Sequence, residues 1–420
     1  MKVLFIQSFP CIRNWKLANV LHDAGHEVYL GQMVNAIDSH WGLPLECYKE
    51  VFFLSSFVGL NGIINYFDIV HCHNEPDWWT VFAIAAARGT GPNRVKVVHD
   101  CHDWIPGRSE VGIDVLASAI AANTLADICV YVSDVQRDLV ARNTGSLQSP
   151  ALVIPNYPLA SAIPDDNQLL PKLSARDGKK HLVYSGTIMD RPGSHRCFVD
   201  EFSDIMKAGF NVHIYAPRVP DGYVKLQRGF RESMHIHGNQ PYPHLIHELT
   251  QYDAGLVPFR KGGPADQHLD TGLPNKAFEY LAAGIPIACR SGLKQMNEFM
   301  LSQASPVGFQ YSTVDDIKRG MAATYAGIDR HAFVFDDVVK KVLLPVYEQQ
   351  GRHLQYTMVK SGQLMTPTKE MIDMQCFEGH GFECALYGRN HAKDLVFESY
   401  LAEERAMAAE SAVAESKGNV

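Results

Sequence analysis

The stretch Asp270–Cys289, DTGLPNKAFEYLAAGIPIAC, decides how the rest of the chain reads. Before it lies Ala254–Phe259 (AGLVPF), an apolar run with the length of a buried strand. Gly272 and Pro274 break the chain, and Asn275 is placed as an N-cap. A helix is predicted from Lys276 to Ala283, ended by Gly284, and Pro286 separates it from a strand over Ile287–Cys289. Strand, loop, helix and strand in succession predict a parallel α/β sheet, whose ligands bind at the carboxyl ends of strands. The helix start offers free N–H groups, and Lys276 adds a full charge, which together suit a phosphate or diphosphate. Glu279 is placed to accept from a ribose or sugar hydroxyl. A glutamate there also simply complements a helix dipole, and a lysine there is commonly solvated. These residues alone leave ligand binding open.

The pattern LPNKAFEYLAAGIPI resembles the donor-binding segment of GT-B glycosyltransferases, especially the retaining family 4, or group 1, enzymes that use nucleotide-sugar donors. The resemblance implies that Glu279 holds the nucleotide ribose. It also implies that the backbone of Gly272, Leu273, Pro274 and Asn275 approaches the diphosphate and sugar. An Arg and a Lys are expected near the diphosphate. Arg191, in SGTIMDRPG, and Lys276 match best, with Gly186 as the glycine at a strand end. Arg260 and Lys261 stand at another strand end. Many members carry two glutamates at a fixed spacing, and at the first of these positions this chain has Thr271 beside Asp270. Either Asp270 substitutes for that carboxylate or the GLPNK backbone serves instead.

Outward from this stretch, strands and helices alternate along most of the chain. Val3–Gln7, Glu27–Leu30, Phe67–His71, Val95–His99, Ile128–Val132 and Leu152–Pro155 read as strands. Helices are predicted over Trp15–Ala24, Thr80–Arg88 and Val135–Arg142. A second series follows, with strands at His181–Ser185, Val212–Ala216, Met234–His237 and Gly308–Tyr311. The first turn, Ser8-Phe9-Pro10, lacks the glycine fingerprint of a dinucleotide site, which disfavours a dehydrogenase. The expected architecture is α/β: two Rossmann-like α/β/α domains facing each other across a cleft, plus a C-terminal tail. The expected bounds are an acceptor domain over residues 1–160, a linker over 161–179 and a donor domain over 180–330. By the same resemblance a helix within 331–355 is expected to cross back to the first domain, Pro345 kinking it, and residues 356–420 form a tail of unassigned role.

Composition agrees with an enzyme of this kind. A chain of 420 residues, 46% hydrophobic and 20% charged, is long enough for two full cores. The net charge of −8 disfavours nonspecific nucleic-acid binding. Nine cysteines without repeated spacing suggest free thiols in a reducing cytoplasm. No apolar run is long enough to span a bilayer, which leaves peripheral attachment at the inner face of the membrane open.

The segment His99-Asp100-Cys101-His102-Asp103-Trp104 carries the other candidate chemistry. By resemblance, His102 faces the transferred sugar, with Asp103 beside it; a polar loop histidine is the plainer reading. His71-Cys72-His73 and His99-Asp100-Cys101-His102 also raise a metal site. The usual zinc spacings are absent, and alternation sends adjacent strand residues to opposite faces, so no metal is expected. The resulting expectation is a metal-independent glycosyltransferase with no tightly bound cofactor. Its donor is a nucleoside-diphosphate sugar, and its acceptor a glycan, lipid-linked or small-molecule one. An epimerase of the same fold and an inactive nucleotide-binding scaffold are the rivals.

Overall fold

The computed structural model describes residues 1–8, 11–32, 43–54, 56–74, 76–89, 95–108, 111–145, 149–242, 244–325 and 327–349. The expectations for Phe9, Pro10 and the tail lie outside these residues.

Seven strands form the first sheet: β1 (Lys2–Gln7), β2 (Glu27–Gln32), β3 (Glu50–Phe53), β4 (Ile69–His73), β5 (Lys96–Cys101), β6 (Ile128–Tyr131) and β7 (Ala151–Val153). Their order is β3-β2-β1-β4-β5-β6-β7, with every pair parallel. The second sheet holds β8 (His181–Ser185), β9 (Asn211–Tyr215), β10 (Met234–His237), β11 (Ala254–Val257), β12 (Ile287–Arg290) and β13 (Gly308–Tyr311). It too is wholly parallel, in the order β10-β9-β8-β11-β12-β13. Both orders reverse direction beside their first strand, which is the topological switch point of a Rossmann-like sheet. Helices cover both faces, so the strands are near-continuous apolar runs. In β1, for example, Val3 and Phe5 enter one core cluster while Leu4 and Ile6 enter another.

One core cluster is shared between the halves. It runs from Val3, Phe5 and Trp15 to Tyr242, Leu273, Phe278 and Tyr347. The stretch from Phe335 supplies part of that cluster, beginning with Phe335 N–H donating to Pro158 O at 2.8 Å. It is helical through residue 349, with a π segment at Val339–Leu343. Pro345 lies two residues beyond that segment. Proline removes one N–H and crowds the carbonyl four residues back, and the wider π turn makes room for it. Among the described residues no helix is long and apolar enough to cross a membrane, and all seven described cysteines are free.

Candidate functional site

β8 and β11 pair only through Ala254 with Leu182 and Gly255 with Val183, and then part. Tyr280 fills the gap. Its hydroxyl accepts from Ser185 N–H at 3.2 Å and donates to Leu256 O at 3.1 Å, pinning the Asn275–Ala282 helix to both strands. The ring occupies the space beside Gly255, where a Cβ would come within 2.2 Å of it. The start of the helix is therefore fixed above the carboxyl ends of β8 and β11.

Lys276 leaves this helix and lies over two rings, its Nζ 4.8 Å from the Tyr184 centroid and 4.7 Å from that of Phe259. It presses against Gly186, whose φ of 125° excludes other residues and where a Cβ would stand 3.1 Å from Nζ. Burial pulls the Lys276 ammonium down to about 7, Arg196 adds to the effect, and Glu279 opposes it. Glu279 is buried, and desolvation raises its carboxyl against the pull of Lys16 and Lys276. Lys16 comes from the helix Ile12–Asp23 of the first half and is itself fully buried. Its Nζ donates to Tyr157 O at 2.7 Å and to Asn275 Oδ1 at 2.9 Å. Burial lowers it to about 7, with Glu279 acting the other way.

Several residues stand differently from their sequence reading. Pro274 is the N-cap, and Asn275, already helical, turns its side chain to Lys16 instead of capping. Asp270 and Thr271 end a helix, Asp266–Thr271, where a loop was expected. Lys261 Nζ clamps Asp270 at 2.7 and 2.6 Å, so these two charges already satisfy each other. The Thr271 hydroxyl donates back to Gln267 O and His268 O, while its carbonyl accepts from Ser133 Oγ at 3.0 Å. Gly272 is in ordinary extended backbone, and Leu273 is buried with its carbonyl toward Asn156. Arg191 is exposed on the turn after Met189.

Arg196 keeps closer company with the site. Arg196, His268, Arg108 and Lys276 all act on His195, which burial, first, and these charges hold at about 4. Asp103 lies among them: Arg108 donates to it at 3.1 Å, and His268 Nε2 stands 3.8 Å away. Against burial, His268, Arg108, His102 and Arg196 depress the Asp103 carboxyl. His102 is tied through its carbonyl to Gln136 Nε2 at 3.1 Å, and its Nδ1 stands 3.6 Å from Asp100 Oδ1. Burial would neutralise the imidazole, but Cys11 and Asp100 outweigh it and hold the group well above its usual value. Arg108, His268, Arg196 and His102 thus gather around Asp103, drawn from the carboxyl-end loops of the two sheets.

Comparison with solved structures fits this geometry. HepE of Anabaena in complex with UDP superposes with a TM-score of 0.56 at 13% identity, covering 86% of this chain and 99% of that one. The chain has the GT-B fold. Sucrose-phosphate synthase of Thermosynechococcus elongatus gives a TM-score of 0.54 at 11% identity, covering 86% of this GT-B chain and all 100% of its own. AviGT4, a glycosyltransferase involved in avilamycin A biosynthesis, gives 0.51 at 15%, covering 84% and 98%. Residues 14–157 match the family model described as Glycosyltransferase Family 4. The resemblance read from Asp270–Cys289 therefore recurs in the opposite half of the GT-B fold. No curated protein matches the sequence.

Three residues beside the candidate chemistry escaped sequence reading: Lys16, Arg196 and Arg13, whose Nε donates to the two Asp100 oxygens at 3.0 and 2.9 Å. Arg13 and Lys16 belong to IRNWK, a polar run just after the first strand, while the predicted helix began only at Trp15. Their signal was two cations at the carboxyl edge of a parallel sheet, a place where ligands bind.

Proposed function

We propose that this chain is a glycosyltransferase that moves a sugar from a nucleoside-diphosphate sugar to an acceptor, with retention at the anomeric carbon. The observation that carries the reading is Lys276, parked over Tyr184 and Phe259 against Gly186, with Glu279 buried behind it. A lysine held out of water at a helix start, with Arg196 near, is prepared for an anion. As the glycosidic bond breaks, negative charge grows on the leaving diphosphate. The helix N–H groups, Lys276 and Arg196 meet that charge, so the diphosphate requires no metal. Glu279 accepts from the ribose hydroxyls, and Lys16 favours its ionised form. His102 and Asp103, beside these cations, orient the transferred sugar.

Solved HepE structures carry UDP and UDP-glucose, which makes a UDP-sugar the first donor to try. The first half takes the acceptor, a glycan, lipid-linked or small-molecule one. The setting we infer is assembly of a cell-surface or secreted glycan on the cytoplasmic side, with or without peripheral membrane contact.

The experiment is a thermal-shift screen with UDP, GDP, ADP and their sugars, with and without chelator. It is followed by donor turnover with and without an acceptor panel. A ligand at a hundred times its dissociation constant adds about 2.7 kcal/mol to native stability, a readable shift. A selective shift that survives chelator, with acceptor-dependent turnover, supports the proposal. Sugar exchange or release with donor alone would point to an epimerase. Absence of a shift with every nucleotide would overturn the donor site.

A further inference from the structure

The expectation of no metal rested on neighbouring residues pointing apart, yet residues two apart in a strand share a face. β4 runs to His73 and β5 to Cys101, each beyond its predicted end, so His71, His73 and Asp100 all lie within strands. His73 pairs with Asp100 across the ladder, which puts all three side chains on one face.

Their donor atoms lie within 4.8 Å of one another, and all three residues are fully buried. His71 Nε2 stands 3.5 Å from Asp100 Oδ2, and His73 Nδ1 stands 3.8 Å from the same oxygen. These separations exceed a hydrogen bond. They approach the edges of a tetrahedral zinc site, in which bonds of about 2.0–2.1 Å place ligand atoms about 3.3–3.4 Å apart. His71 Nε2 and both nitrogens of His73 are buried without a hydrogen-bond partner, and so is the nearby His102 Nδ1. Buried polar atoms are almost always satisfied, so nitrogens without a partner beside one carboxylate point to an occupant.

The surroundings are built as those of a ligand set are. His71 Nδ1 hydrogen-bonds the Tyr347 hydroxyl, and donation there frees Nε2 as the lone-pair nitrogen. The His71 and His73 rings stack at 4.6 Å, and Phe5 closes on both at 5.1 Å. Arg13 Nε holds the two Asp100 oxygens at 3.0 and 2.9 Å, fixing the carboxylate plane.

We propose that His71 Nε2, His73 Nδ1 and Asp100 Oδ2 bind one divalent transition-metal ion of the zinc class. The ion would sit between β4, β5 and the Tyr347 helix, on the acceptor half. Arg13 opposes its charge, so the affinity is lower than that of a closed four-ligand zinc site. Its residues differ from those of the donor pocket, so a failed nucleotide screen leaves the ion standing, and the reverse.

The test is equilibrium dialysis of the tag-free full chain against Zn(II), read by elemental analysis, and titration with Co(II), read by its visible d–d bands. One ion per chain with tetrahedral Co(II) bands is expected. Tyr347→Phe, which keeps the ring, should weaken binding about tenfold, and His73→Ala should abolish it. A second group, His244, His247 and Glu248, lies on the surface, and His247→Ala should change neither readout. Folded wild-type protein that binds no ion overturns the site whatever the variants do. So does binding that survives in folded His73→Ala or disappears in His247→Ala.

Discussion

Lys276 shows what burial does to a single charge. Its amine is pulled from 10.5 to about 7, chiefly by desolvation over two aromatic rings. In the free protein it is therefore charged below pH 7 and largely neutral above. A bound diphosphate favours the charged form, so binding above pH 7 takes up a proton. UDP-glucose affinity should fall as pH rises through 7, by up to about tenfold per pH unit. Calorimetric titration across that range checks the slope, and Lys276→Arg, which stays charged, should flatten it. In the proposed donor site Glu279→Ala removes the ribose acceptor and should weaken nucleotide binding by about 1.5–3 kcal/mol. Equal affinity in wild type and variant would sink the ribose assignment. His102→Ala should leave the donor dissociation constant unchanged while lowering turnover, and parallel binding and rate measurements separate the two.

At the scale of elements, the Asn275–Ala282 helix keeps its place through Tyr280, whose hydroxyl bridges β8 and β11. That bridge needs a glycine in β11. Gly255→Ala would drive a methyl into the Tyr280 ring, where a Cβ comes within 2.2 Å. The expected cost is about 1–3 kcal/mol, read as a lower urea midpoint with unchanged slope. This switch-point architecture was legible in advance, because alternation and turn chemistry are local. β8, β10 and β13 have the bounds their composition predicts, and the other predicted strands shift only at their edges. The Ile113–Leu125 helix was missed because it is Ala-rich and apolar on most sides, so no period marks a buried face. β3 was missed as a four-residue edge strand beginning with Glu50. Ends mattered more than existence. Two residues more of β4 and of β5 bring His73 and Asp100 into strands and join them with His71 on one buried face.

Across the whole molecule, the halves are tied by polar bonds as well as by their shared core. Lys16 Nζ reaches Asn275, Ser133 Oγ reaches the Thr271 carbonyl, and Trp15 packs edge-on to Tyr242. Lys16→Ala should leave Glu279 without its interdomain cation and cost about 3 kcal/mol, seen as a lower unfolding midpoint. An unchanged midpoint would show that Glu279 is already neutral at the pH of measurement. None of these ties is readable along the chain, since Lys16 and Asn275 stand far apart in sequence. The sequence by itself determined the two parallel α/β sheets and the helix at the second switch point, and it singled out Gly186, Lys276 and Glu279 as candidates. Hydrophobic runs, breakers and helix starts are short-range properties, and they survive in the order of residues. Only the tertiary structure decided which charges meet: Lys16 beside Glu279, Arg196 near the pocket with Arg191 exposed, Lys261 already paired with Asp270, and three buried donors around one space. Electrostatic and coordinative contacts depend on distances between residues from different strands and loops, and sequence spacing carries no record of them.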